Sequence, residues 1–91
     1  MADGYRSLDF TATFVETFAA RDFTAGDRAA ILKALRLLDE NEEHPPLRVH
    51  ILAGDREGSW SASVDGSLRL SFERLEAGRK RMLTVSKHYD R

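Results

Sequence analysis

The sequence predicts an α+β fold of order β-α-α-β-β-β-β, in which two N-terminal helices pack on one face of a twisted, mainly antiparallel sheet. Two observations indicate this fold class. Apolar residues follow the helical period of about 3.6 in the first half of the chain and the strand period of two from Leu47 onward. Turn-forming residues separate the later strands at short intervals, which favours antiparallel hairpins between them.

The first half of the chain predicts one short strand and two helices. Alternating apolar residues in Tyr5–Phe10 predict the strand, and Thr11 is expected to cap the helix that follows. Thr24 and Asp27 predict a capping box at the start of the second helix. Pro45 and Pro46 end that helix, because the residue before a proline is disfavoured in the helical region. The apolar stripe of the second helix consists of Ile31, Ala34, Leu35 and Leu38.

The second half predicts four strands in which apolar and polar residues alternate. Asp65-Gly66 favours a tight hairpin between two of them, and Glu76–Gly78 favours the next reversal. With 91 residues the chain is expected to form a single domain, residues 1–91. The alternating apolar positions are Leu47, Val49 and Ile51; Trp60, Ala62 and Val64; Leu68, Leu70 and Phe72; and Leu83 and Val85.

Composition excludes several classes of site. The chain has no cysteine, which rules out a disulfide framework, a thiolate metal site and a cysteine nucleophile. The three histidines, His44, His50 and His88, lack the spacing of a metal-binding helix, so neither a metal nor another cofactor is expected. No apolar run is long enough to span a membrane, and the N-terminus lacks a signal pattern. We therefore expect a cytoplasmic protein with no membrane partner.

The net charge of −1 is unevenly distributed along the chain. Through Glu43 there are five basic and nine acidic residues, a net charge of −4, and from His44 onward there are nine basic and six acidic residues, a net charge of +3. A polyanion partner is therefore expected to bind the second half.

One face of the predicted sheet lacks a cover, because two helices supply only one layer. The polar strand positions should line this bare face. Arginine and serine there can donate hydrogen bonds to the phosphate oxygens of a nucleic acid backbone. The predicted bare face comprises Arg48, His50, Ser61, Ser63, Arg69, Ser71, Glu73 and Ser86, with His88 just beyond the last strand in the same phase.

Several short motifs occur in a characteristic order and spacing. They are Pro45–His50, Leu52–Asp55, Gly58–Ser61, Leu68–Phe72 and Lys87–Asp90. Together they resemble the RelE/ParE superfamily of type II toxin–antitoxin toxins, in the RelE, YoeB and YafQ neighbourhood. The resemblance extends over nearly the whole chain and implies a RelE-like fold.

The resemblance also implies a function. Ribonucleases of this superfamily cut mRNA on the ribosome without a metal, and a cognate antitoxin silences them. The implied partners are therefore the ribosome, mRNA and the antitoxin, with the toxin either monomeric or in a toxin–antitoxin hetero-oligomer. ParE toxins of the same fold act on DNA gyrase instead, which gives an alternative function. A second alternative is a catalytically weak member that only binds its antitoxin.

Four residues match functional positions of the family. Arg69 matches the arginine near the scissile phosphate. His88 and Tyr89 match the C-terminal His-Tyr pair of YoeB-like members, and His50 lies near a histidine used in YafQ-like members. These four residues are the predicted catalytic residues.

The sequence also departs from the family pattern. Pro46 stands where YoeB-like proteins have a glutamate as general base. Ala62 and Ser63 replace the arginines that often follow the Trp-Ser pair. These departures favour the catalytically weak alternative.

Metal-free RNA cleavage needs a base for the 2′-hydroxyl proton, an acid for the departing 5′-oxygen and a cation for the developing charge. We expect His50 and His88 to divide the base and acid roles and Arg69 to stabilise the transition state. Tyr89 would stack on a base or help to deliver a proton, and Glu73 is an alternative base. The predicted substrate-binding residues are Arg48, Ser61, Ser71, Arg79, Lys80 and Arg81.

Simpler interpretations apply to the same residues. His50 on a polar strand face is consistent with a solvated histidine. Arg69 has a potential ion-pair partner in Glu73, four residues along the strand. Residues 79–81 are consistent with a solvated basic turn. Trp60 shares the phase of Ala62 and is expected in the core.

Overall fold

The computed structural model describes residues 4–52 and 58–87. Within these residues the chain forms two α-helices and five strands in the predicted order. Short 3-10 turns at Pro45–Leu47 and Glu76–Gly78 precede the second and the last strand. The helices and strands are β1 (Leu8–Phe10), α1 (Ala12–Phe18), α2 (Ala25–Glu40), β2 (His50–Ile51), β3 (Ser59–Ser63), β4 (Leu68–Arg74) and β5 (Lys80–Lys87).

The five strands form one sheet in the order β1-β5-β4-β3-β2. From β2 to β5, each strand pairs antiparallel with the next strand along the chain, whereas β1 pairs parallel with β5. The parallel pair places β5 inside the sheet, between β1 and β4. The predicted α+β fold class with a mainly antiparallel sheet is confirmed.

Both predicted helix caps are present. The hydroxyl of Thr11 accepts a hydrogen bond from the Phe14 N–H at 3.0 Å. The hydroxyl of Thr24 accepts from the Asp27 N–H, and the Asp27 carboxylate accepts from the Thr24 N–H, both at 3.0 Å. These local bonds satisfy backbone donors that have no partner within the helix, and so they fix where each helix begins.

The apolar stripe of α2 packs against one face of the sheet. Alternate residues of the strands face it, because successive side chains of a strand point to opposite sides. Burial of each large apolar side chain stabilises the fold by roughly 1.5–3 kcal/mol. The buried apolar residues are Leu8, Phe14, Phe23, Ile31, Ala34, Leu35, Leu38, Leu47, Ala62, Leu68, Leu70, Phe72, Met82 and Val85.

Helix α1 covers the edge of β5 that β1 leaves free. The register of β1 on β5 ends at Met82, so the backbone beyond that residue lacks a strand partner on this side. The hydroxyl of Thr11 donates to the Met82 carbonyl at 3.0 Å, and the hydroxyl of Thr17 accepts from the Val85 N–H at 3.1 Å. Two threonines of the α1 region thus replace a neighbouring strand.

The predicted strand at Leu47–Ile51 is wrong over its first part. Leu47 lies in the 3-10 turn and is buried, Arg48 has a positive φ of 48°, and the strand comprises only His50–Ile51. Two consecutive prolines fix φ near the value of such a turn, and Pro46 has no N–H to donate to a sheet. The alternation of apolar residues therefore arises from a turn followed by a very short strand.

The predicted assignment of β5 side chains to the two faces of the sheet is wrong for the residues before Thr84. Ser71 pairs with Thr84, but the next residue, Phe72, pairs with Met82, so Leu83 is an extra residue in a β-bulge. Met82 and Val85 both face the helices as a result and are buried. Leu83, predicted to be apolar core, is only half-buried.

Candidate nucleic-acid interface

The face of the sheet opposite the helices carries polar side chains in three rows across β2 to β5. Directly paired residues of neighbouring strands point to the same side, so each row follows from the strand register. We call this surface the polar face. Its rows are His50, Ser61, Ser71 and Thr84; Ser63, Arg69 and Ser86; and Ser59, Glu73 and Arg81.

His50 lies at the β2 end of its row and is exposed. Its Nδ1 atom is 2.8 Å from the backbone carbonyl oxygen of Arg48. A carbonyl oxygen only accepts hydrogen bonds, so Nδ1 carries the proton in this contact. In the neutral ring, Nε2 is then the nitrogen with a free lone pair, as a general base requires.

Arg69 lies in the next row, two strands from β2, and is half-buried. From strand spacing and rise, the Cα atoms of His50 and Arg69 are about 12 Å apart. A phosphodiester between the two side chains is within reach of both. Among residues 4–52 and 58–87, Arg69 forms no ion pair, so the suggested pair with Glu73 is not formed.

The hydroxyl row beside His50 differs from the prediction in two respects. Ser61 is only 2 % exposed. A ligand lying on the polar face therefore contacts the residues around Ser61 rather than Ser61 itself. Ser71 is half-buried, and its hydroxyl is 2.6 Å from that of Thr84. Thr84 was not among the predicted residues, although its alternation with the core residue Val85 along β5 places it on this face.

Glu73, the predicted alternative base, forms an ion pair across the sheet. Its carboxylate accepts a hydrogen bond from Arg81 on β5 at 2.7 Å. A proton taken up by this carboxylate would disrupt that ion pair. The free Nε2 of His50 is therefore the better candidate for the base.

The basic residues 79–81 do not form one surface. Arg79 pairs with Asp9 on β1, which raises the pKa of the guanidinium, and it also donates to the Arg6 carbonyl oxygen at 3.1 Å. Lys80 is 5 % exposed, and its Nζ lies 3.2 Å from the Glu42 carboxylate on the helix side. Alternation along β5 separates Lys80 from Arg81, which corrects the prediction of a shared basic cluster.

Arg48 does not lie on the polar face as predicted. It follows the proline turn in a left-handed conformation and lines a groove at the β2 end of the sheet. We call this the Trp60 groove; its lining includes Glu42, Glu43, His44, Arg48, Trp60 and Arg74. Trp60 is half-buried and packs against the core, with its outer part facing the groove.

Two of the predicted catalytic residues lie outside the described residues. These are His88 and Tyr89, which follow Lys87, the last residue of β5. Their roles as acid and as stacking or proton-delivering group stay predictions from the sequence.

Metal-binding clusters and membrane-spanning helices are both absent from residues 4–52 and 58–87. No group of three or more histidine or acidic side chains there is placed to hold a metal ion. None of the helices described is long and apolar enough to cross a membrane.

No protein-family model matches the sequence, and no curated protein matches it either. Solved structures are nevertheless similar in fold. A YoeB/ParE toxin from Agrobacterium tumefaciens is 19 % identical with a TM-score of 0.71, over 92 % of this chain and 100 % of that chain. YafQ from Escherichia coli strain BL21(DE3) is 18 % identical with a TM-score of 0.72, over 90 % of this chain and 92 % of that one.

A chain of the E. coli DinJ-YafQ toxin–antitoxin complex is also similar. It is 18 % identical with a TM-score of 0.69, over 92 % of this chain and 93 % of that chain. These likenesses confirm the RelE-like fold that the motifs implied.

Proposed function

We propose that this chain, which has the fold of the RelE/ParE toxins, is the toxin of a type II toxin–antitoxin system and cleaves mRNA on the ribosome without a metal. The observation that carries this proposal is the polar face, where His50 and Arg69 occupy adjacent rows on one side of the sheet. The solved toxins of similar fold support the toxin part of the proposal. Cleavage of mRNA rests on the resemblance and on the chemistry of these side chains.

The proposed reaction uses the 2′-hydroxyl of the substrate as the nucleophile. His50 Nε2 accepts its proton while the 2′-oxygen attacks the adjacent phosphorus. Arg69 donates hydrogen bonds to the non-bridging oxygens, where negative charge develops. The bond to the 5′-oxygen breaks, and His88 supplies the proton to that oxygen. The products are a 2′,3′-cyclic phosphate and a 5′-hydroxyl.

We also propose that a cognate antitoxin covers the paired helices. An apolar groove of about 180 Å³ lies between α1, α2 and β1. Phe10, Val15 and Leu32 line it and are 39 %, 56 % and 48 % exposed. The apolar face of an amphipathic segment fits such a groove. The DinJ-YafQ complex, in which a chain of similar fold occurs with an antitoxin, supports this partner.

The proposed function is tested by adding the purified protein to a cell-free translation reaction and mapping mRNA 5′ ends by primer extension. We expect new ends within codons for the wild type and for Arg21→Ala, an exposed arginine between α1 and α2. His50→Ala should lower the yield of these ends by about 10²–10⁴-fold, the range typical of a general base.

Other outcomes would contradict the ribonuclease. Intact mRNA together with accumulated gyrase–DNA complexes would indicate the ParE-like alternative. Intact mRNA and normal translation would indicate the catalytically weak, antitoxin-binding alternative. Cleavage that persists unchanged in His50→Ala would remove His50 from the mechanism.

A further inference from the structure

The Trp60 groove has no part in the reaction proposed above. It lies where the segment after α2 meets β3 and β4, and its volume is about 350 Å³. That volume is within the roughly 300–1,000 Å³ of sites that bind small molecules.

A flat cationic surface forms one wall of the groove. The guanidinium of Arg74 on β4 lies over the ring of Trp60 on β3, 4.1 Å from the ring centroid. A guanidinium stacked on an aromatic ring presents a planar, positively charged surface. Surfaces of this kind bind nucleobases by stacking, because every base has a π face.

This surface is held in place by a charge network. Both Nη atoms of Arg74 donate to the two carboxylate oxygens of Glu42, at 3.0 and 2.8 Å. The buried Lys80 contacts the same carboxylate at 3.2 Å. The hydrogen bonds from Arg74 lower the pKa of Glu42, so the carboxylate stays charged at neutral pH. A ligand therefore meets a surface that is already ordered.

The rim of the groove carries groups that can bind the polar parts of a nucleotide. Glu43 and His44 offer acceptors and donors for the edge of a base. Arg48 forms no ion pair within residues 4–52 and 58–87, so its charge is available for a phosphate. Arg48 is also one of two non-glycine residues with positive φ in these ranges, a conformation that is often found at functional sites.

The charges favour a base over an acidic peptide as the occupant. The carboxylates of Glu42 and Glu43 line the groove and would repel acidic side chains at its centre. A neutral base avoids this repulsion while its phosphate lies at Arg48.

The groove borders β2, the edge strand that carries His50. The carbonyl oxygen of Arg48 holds Nδ1 of His50, and the Cα atoms of the two residues are at most about 7 Å apart. Trp60 and Arg74 point to the helix side of the sheet and His50 points to the polar face, so an RNA chain with a base in the groove must pass around the β2 edge to bring its next phosphate to His50.

We propose that the Trp60 groove binds a base of the RNA chain next to the phosphate that is cleaved. This inference rests on the proposed function for its choice of RNA. It assigns Trp60, Arg74 and Arg48 to substrate binding, with Glu42 as the residue that positions Arg74.

Trp60 is the only tryptophan of the sequence, so its fluorescence reports on the groove directly. The probe is a 2′-O-methyl RNA trinucleotide, which lacks the attacking hydroxyl and is not cleaved. We expect saturable quenching of Trp60 by this probe. The matching sugar–phosphate chain without bases should bind about tenfold more weakly, because base stacking is lost.

Two variants test the surface itself. Arg74→Lys keeps the charge that pairs with Glu42 but lacks a planar group, and it should weaken binding of the trinucleotide by about tenfold. Arg48→Gln should weaken binding of both probes, because a phosphate contact is lost. Arg21→Ala should bind like the wild type.

The inference is overturned if the trinucleotide leaves Trp60 fluorescence unchanged, if the chain without bases binds equally well, or if Arg74→Lys binds like the wild type. Quenching by a decamer of glutamate in place of the trinucleotide would point to a protein partner and would also overturn it. Binding is measured without ribosomes, so a failure of mRNA cleavage is distinguishable from a failure of this site. Arg74→Lys should also shift the mapped cleavage positions on mRNA without abolishing cleavage.

Discussion

At the scale of single residues, ion pairs between distant parts of the chain decide which cations face a substrate. Arg79 pairs with Asp9, 70 residues away, and Arg74 pairs with Glu42, 32 residues away. Neither pair has a local signature in the sequence, so residues 79–81 looked like one basic cluster. The position of His50 was predictable from its strand, but the hydrogen bond that leaves Nε2 free depends on the turn at Arg48.

The Asp39 carboxylate joins the start of the chain to the end of α2. It accepts hydrogen bonds from the Ser7 N–H and hydroxyl, both at 2.7 Å, and from the Arg6 N–H at 3.0 Å. Burial alone would raise the pKa of Asp39, but these hydrogen bonds lower it below the ordinary value of 3.8. We expect Asp39→Asn to reduce the free energy of unfolding at pH 7 by about 1–3 kcal/mol.

The pH dependence of this effect follows from the lowered pKa. The charged carboxylate contributes its stability above pH 3.8, and the contribution is lost as the pH falls through the pKa of the folded state. Urea unfolding at pH 7 and at several values below pH 4 measures the difference between wild type and Asp39→Asn. That difference should shrink with acidity, whereas Glu40→Gln, at an exposed neighbouring acid, should have little effect at any pH. A difference that stays constant with pH would contradict the role of the charged form.

At the scale of elements, the features that depend on neighbouring residues in the sequence were predicted correctly. The features that depend on contacts between distant residues were not. Thr11 and Thr24 marked the helix starts because a cap needs only residues within one turn. Leu47 was misplaced because a proline turn and a strand give the same apolar alternation. The bulge at Leu83 depends on the partner strand β4, which the sequence of β5 alone does not contain.

Helix α1 should stabilise the free edge of β5 through Thr17. Thr17→Val keeps the shape of the side chain but leaves the Val85 N–H without its acceptor, so we expect a loss of about 1–3 kcal/mol in the free energy of unfolding. Thr13→Val, at an exposed position of the same helix, is the matched control. Urea unfolding and hydrogen exchange of the Val85 amide measure the effect, and unchanged exchange in Thr17→Val would refute the edge role of α1.

At the scale of the whole molecule, the resemblance and the periodicity led to the same fold, which the solved structures of similar fold confirm. Four of the nine basic residues of the second half contact carboxylates, namely Arg74, Arg79, Lys80 and Arg81. Among the described residues of the two proposed binding surfaces, Arg48 and Arg69 are left to contact phosphates.

The small number of available cations predicts a weak dependence of RNA binding on salt. With two phosphate contacts, the slope of log K against log salt concentration should be about −1.4 for single-stranded RNA. Arg48→Gln should reduce the magnitude of this slope by about 0.7, because one phosphate contact is lost. Fluorescence titration with the trinucleotide at several salt concentrations gives the slope. A slope several times steeper would show that many more phosphates are contacted than the two surfaces provide.

The most direct measurement is the single-turnover rate of mRNA cleavage on purified ribosomes by wild type, Arg69→Ala, Arg69→Lys and Arg21→Ala. If Arg69 stabilises the charge that develops on the phosphate, Arg69→Ala should lower the rate by roughly 10²–10³-fold. Arg69→Lys should recover part of that loss, and Arg21→Ala should cleave at the wild-type rate. Equal rates for wild type and Arg69→Ala would contradict the assignment of the polar face as the site of RNA cleavage.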